Sequence, residues 1–84
     1  MHKTTMRFWR CFYALPQGIQ ERARKNYNLL KEDPRHPSLQ FKKAGKFWSA
    51  RIDRNHRALA IEDEDGFIWV WIGTHEQYDR ILNG

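Results

Sequence analysis

The chain is poor in the residues that staple, interrupt or anchor a fold. Its one cysteine, Cys11, rules out a disulfide within the 84 residues and any cysteine-based zinc cage. Cys11 sits among aromatic residues and reads as a buried spacer. No apolar run approaches the ~20 residues of a membrane span. Nothing resembles a signal peptide, so the expected location is the cytoplasm, with no membrane partner. Three prolines and five glycines mark turns but no repeat, low-complexity tract or interdomain linker. There is no Gly-rich phosphate loop and no Ser-His-Asp arrangement. His36, His56 and His75 have no ligand spacing, so neither a metal nor a small-molecule cofactor is expected.

Acidic residues are scarce in one part of the chain. Residues 1–57 hold 14 Lys/Arg against four acids, and residues 58–84 hold one Arg against six acids. The balance is +10 followed by −5. Such asymmetry favours a polyanionic partner for the first part, either nucleic acid or an acidic protein segment. A solvated charged surface is the plain alternative.

What the chain has in abundance is aromatic surface: twelve residues, four of them Trp. Each buries a large area, which offsets the thin core of a chain this short. Residues 1–84 are expected to form one domain.

Residues 1–5 read as a short arm or edge strand. Phe8, Trp9, Phe12, Tyr13 and Leu15 recur at helical spacing, which predicts a helix over about Met6–Ala14. Leu15-Pro16 interrupts it, and Pro16 suits the first turn of a second helix. Ile19, Ala23, Tyr27 and Leu30 form that helix's apolar stripe. Asp33-Pro34-Arg35-His36-Pro37 ends it. Leu39–Lys43 then reads as a strand, Phe47–Asp53 as a second and Arg57–Glu62 as a third. Asp65-Gly66 signals a hairpin into Phe67–Ile72, which is apolar on both faces. Thr74 with Gln77 matches a capping box for a last helix from His75 to about Leu82. The expected class is α+β: two N-terminal helices packed on a four-stranded antiparallel sheet, with a short C-terminal helix.

The candidate chemistry lies in the second half. Arg51 and Arg57 flank a tight turn, so they can meet across the ladder. Two guanidiniums placed there repel unless an anion lies between them, and the planar fork of Arg matches phosphate oxygens. Pairing with Asp53, Glu62 or Asp63 is the structural alternative. His75 follows a strand and can exchange a proton near neutrality. Tyr78, three residues on, shares its helix face and can stack on a base or donate to phosphate. Equally, Tyr78 can pack on the sheet while His75 merely caps. Lys42, Lys43 and Lys46, combined with Arg51, Arg54 and Arg57, make a basic patch suited to RNA. His36 reads as structural, His2 as part of a disordered arm and His56 as a solvated turn residue.

These residues also carry a resemblance. Leu15-Pro16, Asp33-Pro34-Arg35-His36-Pro37-Ser38-Leu39, Phe41-Lys42-Lys43, Trp48-Ser49-Ala50-Arg51, Asn55-His56-Arg57-Ala58-Leu59 and Trp69–Arg80 follow one another in an order similar to the RelE/ParE superfamily, the toxins of bacterial type II toxin–antitoxin systems. The RelE-like branch is the nearer one. The resemblance implies a RelE-like fold over the whole chain and a cognate antitoxin as partner. RelE-like members are mRNA endonucleases that usually act in the ribosomal decoding site. On that pattern Arg51, Arg57, His75 and Tyr78 take catalytic positions, and mRNA with the ribosome is the partner. ParE-like members instead poison DNA gyrase without cutting RNA, and an inactive antitoxin-binding homologue is a further alternative. Two departures stand out: Ser49 replaces an expected basic group, and His75 and Tyr78 are separated rather than adjacent.

Overall fold

A computed structural model describes residues 2–83. Its order is β1 (His2–Thr4), α1 (Met6–Tyr13), α2 (Gln17–Glu32), a 3-10 turn (Pro37–Leu39), β2 (Lys42–Ala44), β3 (Phe47–Asp53), β4 (His56–Asp63), β5 (Gly66–Thr74) and α3 (His75–Asn83). The strands form one sheet in the order β1-β5-β4-β3-β2.

The class is α+β as expected, but the sheet has five strands and is mixed. β1 adds to the free edge of β5 in parallel, with His2 opposite Phe67 and Thr4 opposite Trp69. Three residues are too few to show a strand period, and their pairing spans most of the chain. Side chains hold this edge. The Trp69 indole donates to His2 Nδ1 at 3.1 Å, and the Trp9 indole donates to Thr4 Oγ1 at 2.9 Å. His2 is therefore ordered, with its ring stacked against Phe67 and Trp69. Thr5 then starts α1, accepting from the Phe8 N–H at 3.1 Å.

Pro16 stands at the N-cap of α2, one place before its first turn, and its carbonyl accepts from Ile19 and Gln20. The predicted strand at Leu39–Lys43 begins later, at Lys42. Pro37 suits a helical start, and His36 Nδ1 accepts from the Ser38 N–H at 3.2 Å, so the chain winds before it extends. Leu39 is buried by that turn, and Gln40 reverses direction at φ 44°.

The two faces of the sheet differ. Ala50, Ala58 and Ile72 lie opposite one another on β3, β4 and β5 and join Phe12, Ala23 and Leu30 in the core beneath α1 and α2. Cys11 is half-buried against this core. On the other face Ser49 lies opposite Leu59, and Arg51 opposite Arg57. Leu59 lies in turn opposite Trp71, and Arg57 opposite Gly73. α3 packs against β4 and β5 and brings the buried Tyr78. No helix is long and apolar enough to cross a membrane among the described residues.

Candidate functional site

A cleft of about 210 Å³ opens on this second face, lined by Gln40, Lys42, Ser49, Arg51, Arg57, His75 and Tyr78. Each lining group arrives by a local rule. Cross-strand registry puts Arg51 beside Arg57. Lys42 lies opposite Ser49, so period-2 alternation turns Lys42 to the cleft and Lys43, opposite Trp48, to the other face. The capping box sets α3: Gln77 N–H donates to Thr74 Oγ1 at 3.2 Å, and Thr74 N–H donates to Gln77 Oε1 at 3.0 Å. Gly73 belongs to the same device. A Cβ there would collide with Gln77 Oε1 and the Trp71 ring, and its absence leaves the sheet bare beside Arg57.

All four residues expected to be catalytic thus share one cleft. Of the four expected to bind RNA, only Lys42 lines it. Lys46 lies over the Phe47 ring at 5.4 Å, and Arg54 is exposed in the β3–β4 turn. Gln40 is a lining residue that the sequence pattern hides, because Leu39–Lys43 reads as a strand. Its signal was the Pro37-Ser38 pair, which favours a helical turn over extension. Ser49, a departure from the family pattern, is buried on the cleft face.

The cleft is cationic. Lys42, Arg51 and Arg57 line it, and no carboxylate does. Neither arginine joins an ion pair among the described residues. Instead both point their guanidiniums at one backbone carbonyl: Asp53 O accepts from Arg57 Nη1 at 2.6 Å and from Arg51 Nε at 3.4 Å. Arg57 also donates to His56 O at 2.9 Å. Burial and then the charge of Arg51 push the Arg57 pKa down from its usual value, while Tyr78, Asp53 and Asp79 oppose them. An anion between the two forks would relieve that repulsion.

His75 is half-exposed at the rim, with Nδ1 3.1 Å from Asp79 Oδ2. That contact favours the tautomer with the proton on Nδ1, leaving Nε2 as the ring's proton acceptor. The Tyr78 ring lies 5.6 Å from the His75 ring, tilted by 53°. Tyr78 is only 8 % exposed. It is therefore packed beside the imidazole rather than holding a free face for stacking. His56, expected to be solvated, is turned inward with Nδ1 2.9 Å from Asp53 Oδ1. Burial pushes the Asp53 carboxyl up, but bonds from His56 and the Asn55 N–H outweigh it and hold the pKa below the usual carboxylate value. Among the described residues, no three His, Cys, Asp or Glu side chains converge as a metal site.

A larger space of about 480 Å³ lies on the opposite face between the helices and the sheet. Core side chains such as Phe12, Leu30 and Ile72 line it together with His2 and Tyr27, whose rings meet edge to face at 5.9 Å, and His2 Nδ1 is already engaged by the Trp69 indole.

With this geometry in view, comparison with known proteins is decisive for the family. The model of the ParE-like toxin domain matches residues 17–80. The chain belongs to the ParE-like toxin family, within the RelE/ParE superfamily. Among solved structures, a chain of the RelB–RelE antitoxin–toxin complex from Methanococcus jannaschii superposes with a TM-score of 0.72 at 16 % identity, covering 93 % of this chain and 96 % of that one. A chain of the toxin–antitoxin complex RelBE2 from Mycobacterium tuberculosis gives 0.66 at 16 % identity, covering 89 % and 96 %. A chain of the archaeal RelE–RelB complex from Pyrococcus horikoshii gives 0.62 at 15 % identity, covering 87 % and 91 %. These likenesses establish a RelE-like fold. No curated protein matches the chain significantly.

Proposed function

We propose that this toxin of a toxin–antitoxin system is an mRNA endoribonuclease, with ribosome-bound mRNA as its substrate and a cognate antitoxin as its inhibitor. One observation carries the reading. Arg51, Arg57, His75 and Tyr78 line a single cationic cleft that contains no carboxylate.

The chemistry would be attack of an RNA 2′-OH on its own 3′ phosphate. A bond from O2′ to phosphorus forms, the bond to the 5′ oxygen breaks, and negative charge builds on the non-bridging oxygens. Arg51 and Arg57, held side by side, would receive that charge. His75 would take the 2′-OH proton at Nε2 while Asp79 steadies Nδ1, and the departing 5′ oxygen would take a proton from water. Tyr78 would keep the imidazole in place and lend its phenol to the phosphate. Lys42 at the rim would follow the RNA backbone. DNA lacks the 2′-OH and would not be cut by this route.

The second reading is a non-enzymatic inhibitor of DNA gyrase, favoured by the ParE-like name of the matching family. An inactive homologue kept for antitoxin binding is a third. Induced expression, with mapping of new RNA 5′ ends and assay of gyrase supercoiling, separates them. The nuclease reading expects fresh mRNA ends and untouched supercoiling. Growth arrest with intact mRNA and inhibited gyrase would overturn it.

A further inference from the structure

The β3–β4 turn does more than reverse the chain. Its backbone gathers three of the cleft's functional residues. The Asp53 carbonyl receives both guanidiniums. The Asn55 carbonyl accepts the His75 N–H at 2.6 Å, which fixes the start of α3 against the turn. The shape of five residues, 53–57, therefore sets where Arg51, Arg57 and His75 stand relative to one another.

One side chain holds that shape. Asp53 Oδ1 accepts from the Asn55 N–H at 2.9 Å, closing an Asx turn, and lies 2.9 Å from His56 Nδ1. The Asp53 and His56 side chains are only 21 % and 14 % exposed, so the pair is built into the turn rather than free on the surface. The strand before the turn is pinned from behind. Asn26 of α2 donates to Ile52 O at 2.8 Å and to Arg51 O at 3.3 Å, and Arg22 donates to Ile52 O at 3.3 Å. These bonds sit where the β3–β4 register shifts, between Arg51 and Asp53.

We propose that Asp53 is a positioning residue: its carboxylate locks the β3–β4 turn so that two backbone carbonyls aim Arg51, Arg57 and His75 into one phosphate site. The inference rests on reading the cleft as a phosphate site, and it assigns a task to an acid that does not line the cleft.

Charge and geometry make opposite predictions here, which gives a clean test. Asp53 is an anion beside two arginines. If it acts only through charge, removing it should tighten anion binding. If it positions, removing it should weaken binding. Pyrophosphate is titrated into the purified chain by calorimetry, and exchange of the His75 amide is followed by NMR. Asp53→Ala is expected to weaken pyrophosphate binding roughly tenfold, the scale of one charge-assisted hydrogen bond, and to speed His75 amide exchange. Asp53→Asn keeps an oxygen acceptor for the Asn55 N–H, so it should bind at least as tightly as wild type with unchanged exchange. Equal or tighter binding by Asp53→Ala overturns the proposal. If that variant does not fold, weaker binding or faster exchange in Asp53→Asn overturns it, and wild-type behaviour supports it. Should the wild-type protein bind no pyrophosphate, the phosphate reading fails. The His75 amide then decides the positioning role, with faster exchange in Asp53→Ala supporting it and unchanged exchange overturning it.

Discussion

Arg57 and Lys46 carry the same charge under different constraints. Arg57 is partly buried, held by two carbonyls and crowded by Arg51. Lys46 rests on the Phe47 ring outside the cleft. Arg57→Ala should therefore relieve toxicity far more than Lys46→Ala. By analogy with oxyanion donors, the loss is on the order of 2–4 kcal/mol of barrier. Growth after induction at matched expression reads this, and equal effects would count against a phosphate role for Arg57. A second residue effect concerns stability. Burial, and then nearby positive charge, hold the His2 pKa below its ordinary 6.5. The folded state thus resists protonation more than the unfolded chain does. His2 stabilises the fold above that ordinary value, and the contribution is lost as pH falls below it toward the folded pKa. His2→Gln keeps an acceptor for the Trp69 indole and cannot titrate. The melting-temperature advantage of wild type over this variant should shrink between pH 7 and pH 5, and a constant difference would mean that His2 titrates alike in both states.

The element that matters most to the site is α3, because its first residue is His75 and its cap reaches back to the strand. Thr74→Ala removes the acceptor for the Gln77 N–H and should cost about 1 kcal/mol in urea unfolding. A cost near zero would mean that packing of Tyr78 alone sets the helix start. This cap was legible in the sequence because Thr74 and Gln77 stand at the required spacing. The Arg51–Arg57 pairing was legible too, since a tight turn fixes the register around it. α1, α2 and β3 follow from apolar spacing within each segment. Harder to read was anything set by distant or unusual backbone. β1 pairs with β5 across the length of the chain, and no local period encodes that. Gln40 enters the cleft through a left-handed conformation that residues other than glycine rarely adopt. The sequence leaves Tyr78 open between stacking and packing, because only the fold shows that its ring is buried.

Across the whole molecule, charge is divided by region. Lys42, Arg51 and Arg57 gather at the cleft, while Asp63 and Asp65 at the far hairpin pair with Lys3. An antitoxin that covers the cleft should present an acidic, amphipathic segment. Its on-rate should fall as salt rises, because steering between exposed charges is screened within about 10 Å at 0.1 M salt. A salt-independent on-rate would move the contact to the aromatic α1, where Met6 and Tyr13 are exposed. On the nuclease reading, His75 is a proton-transfer group set beside two arginines that bind phosphate. Single-turnover cleavage of mRNA on programmed ribosomes by His75→Gln tests it most directly. Gln keeps a similar size but cannot titrate, and Thr74 and Gln77 still cap α3, so circular dichroism and ribosome binding should stay native. The cleavage step should slow by about 10²–10⁴-fold. Cleavage at the wild-type rate would contradict that role for His75.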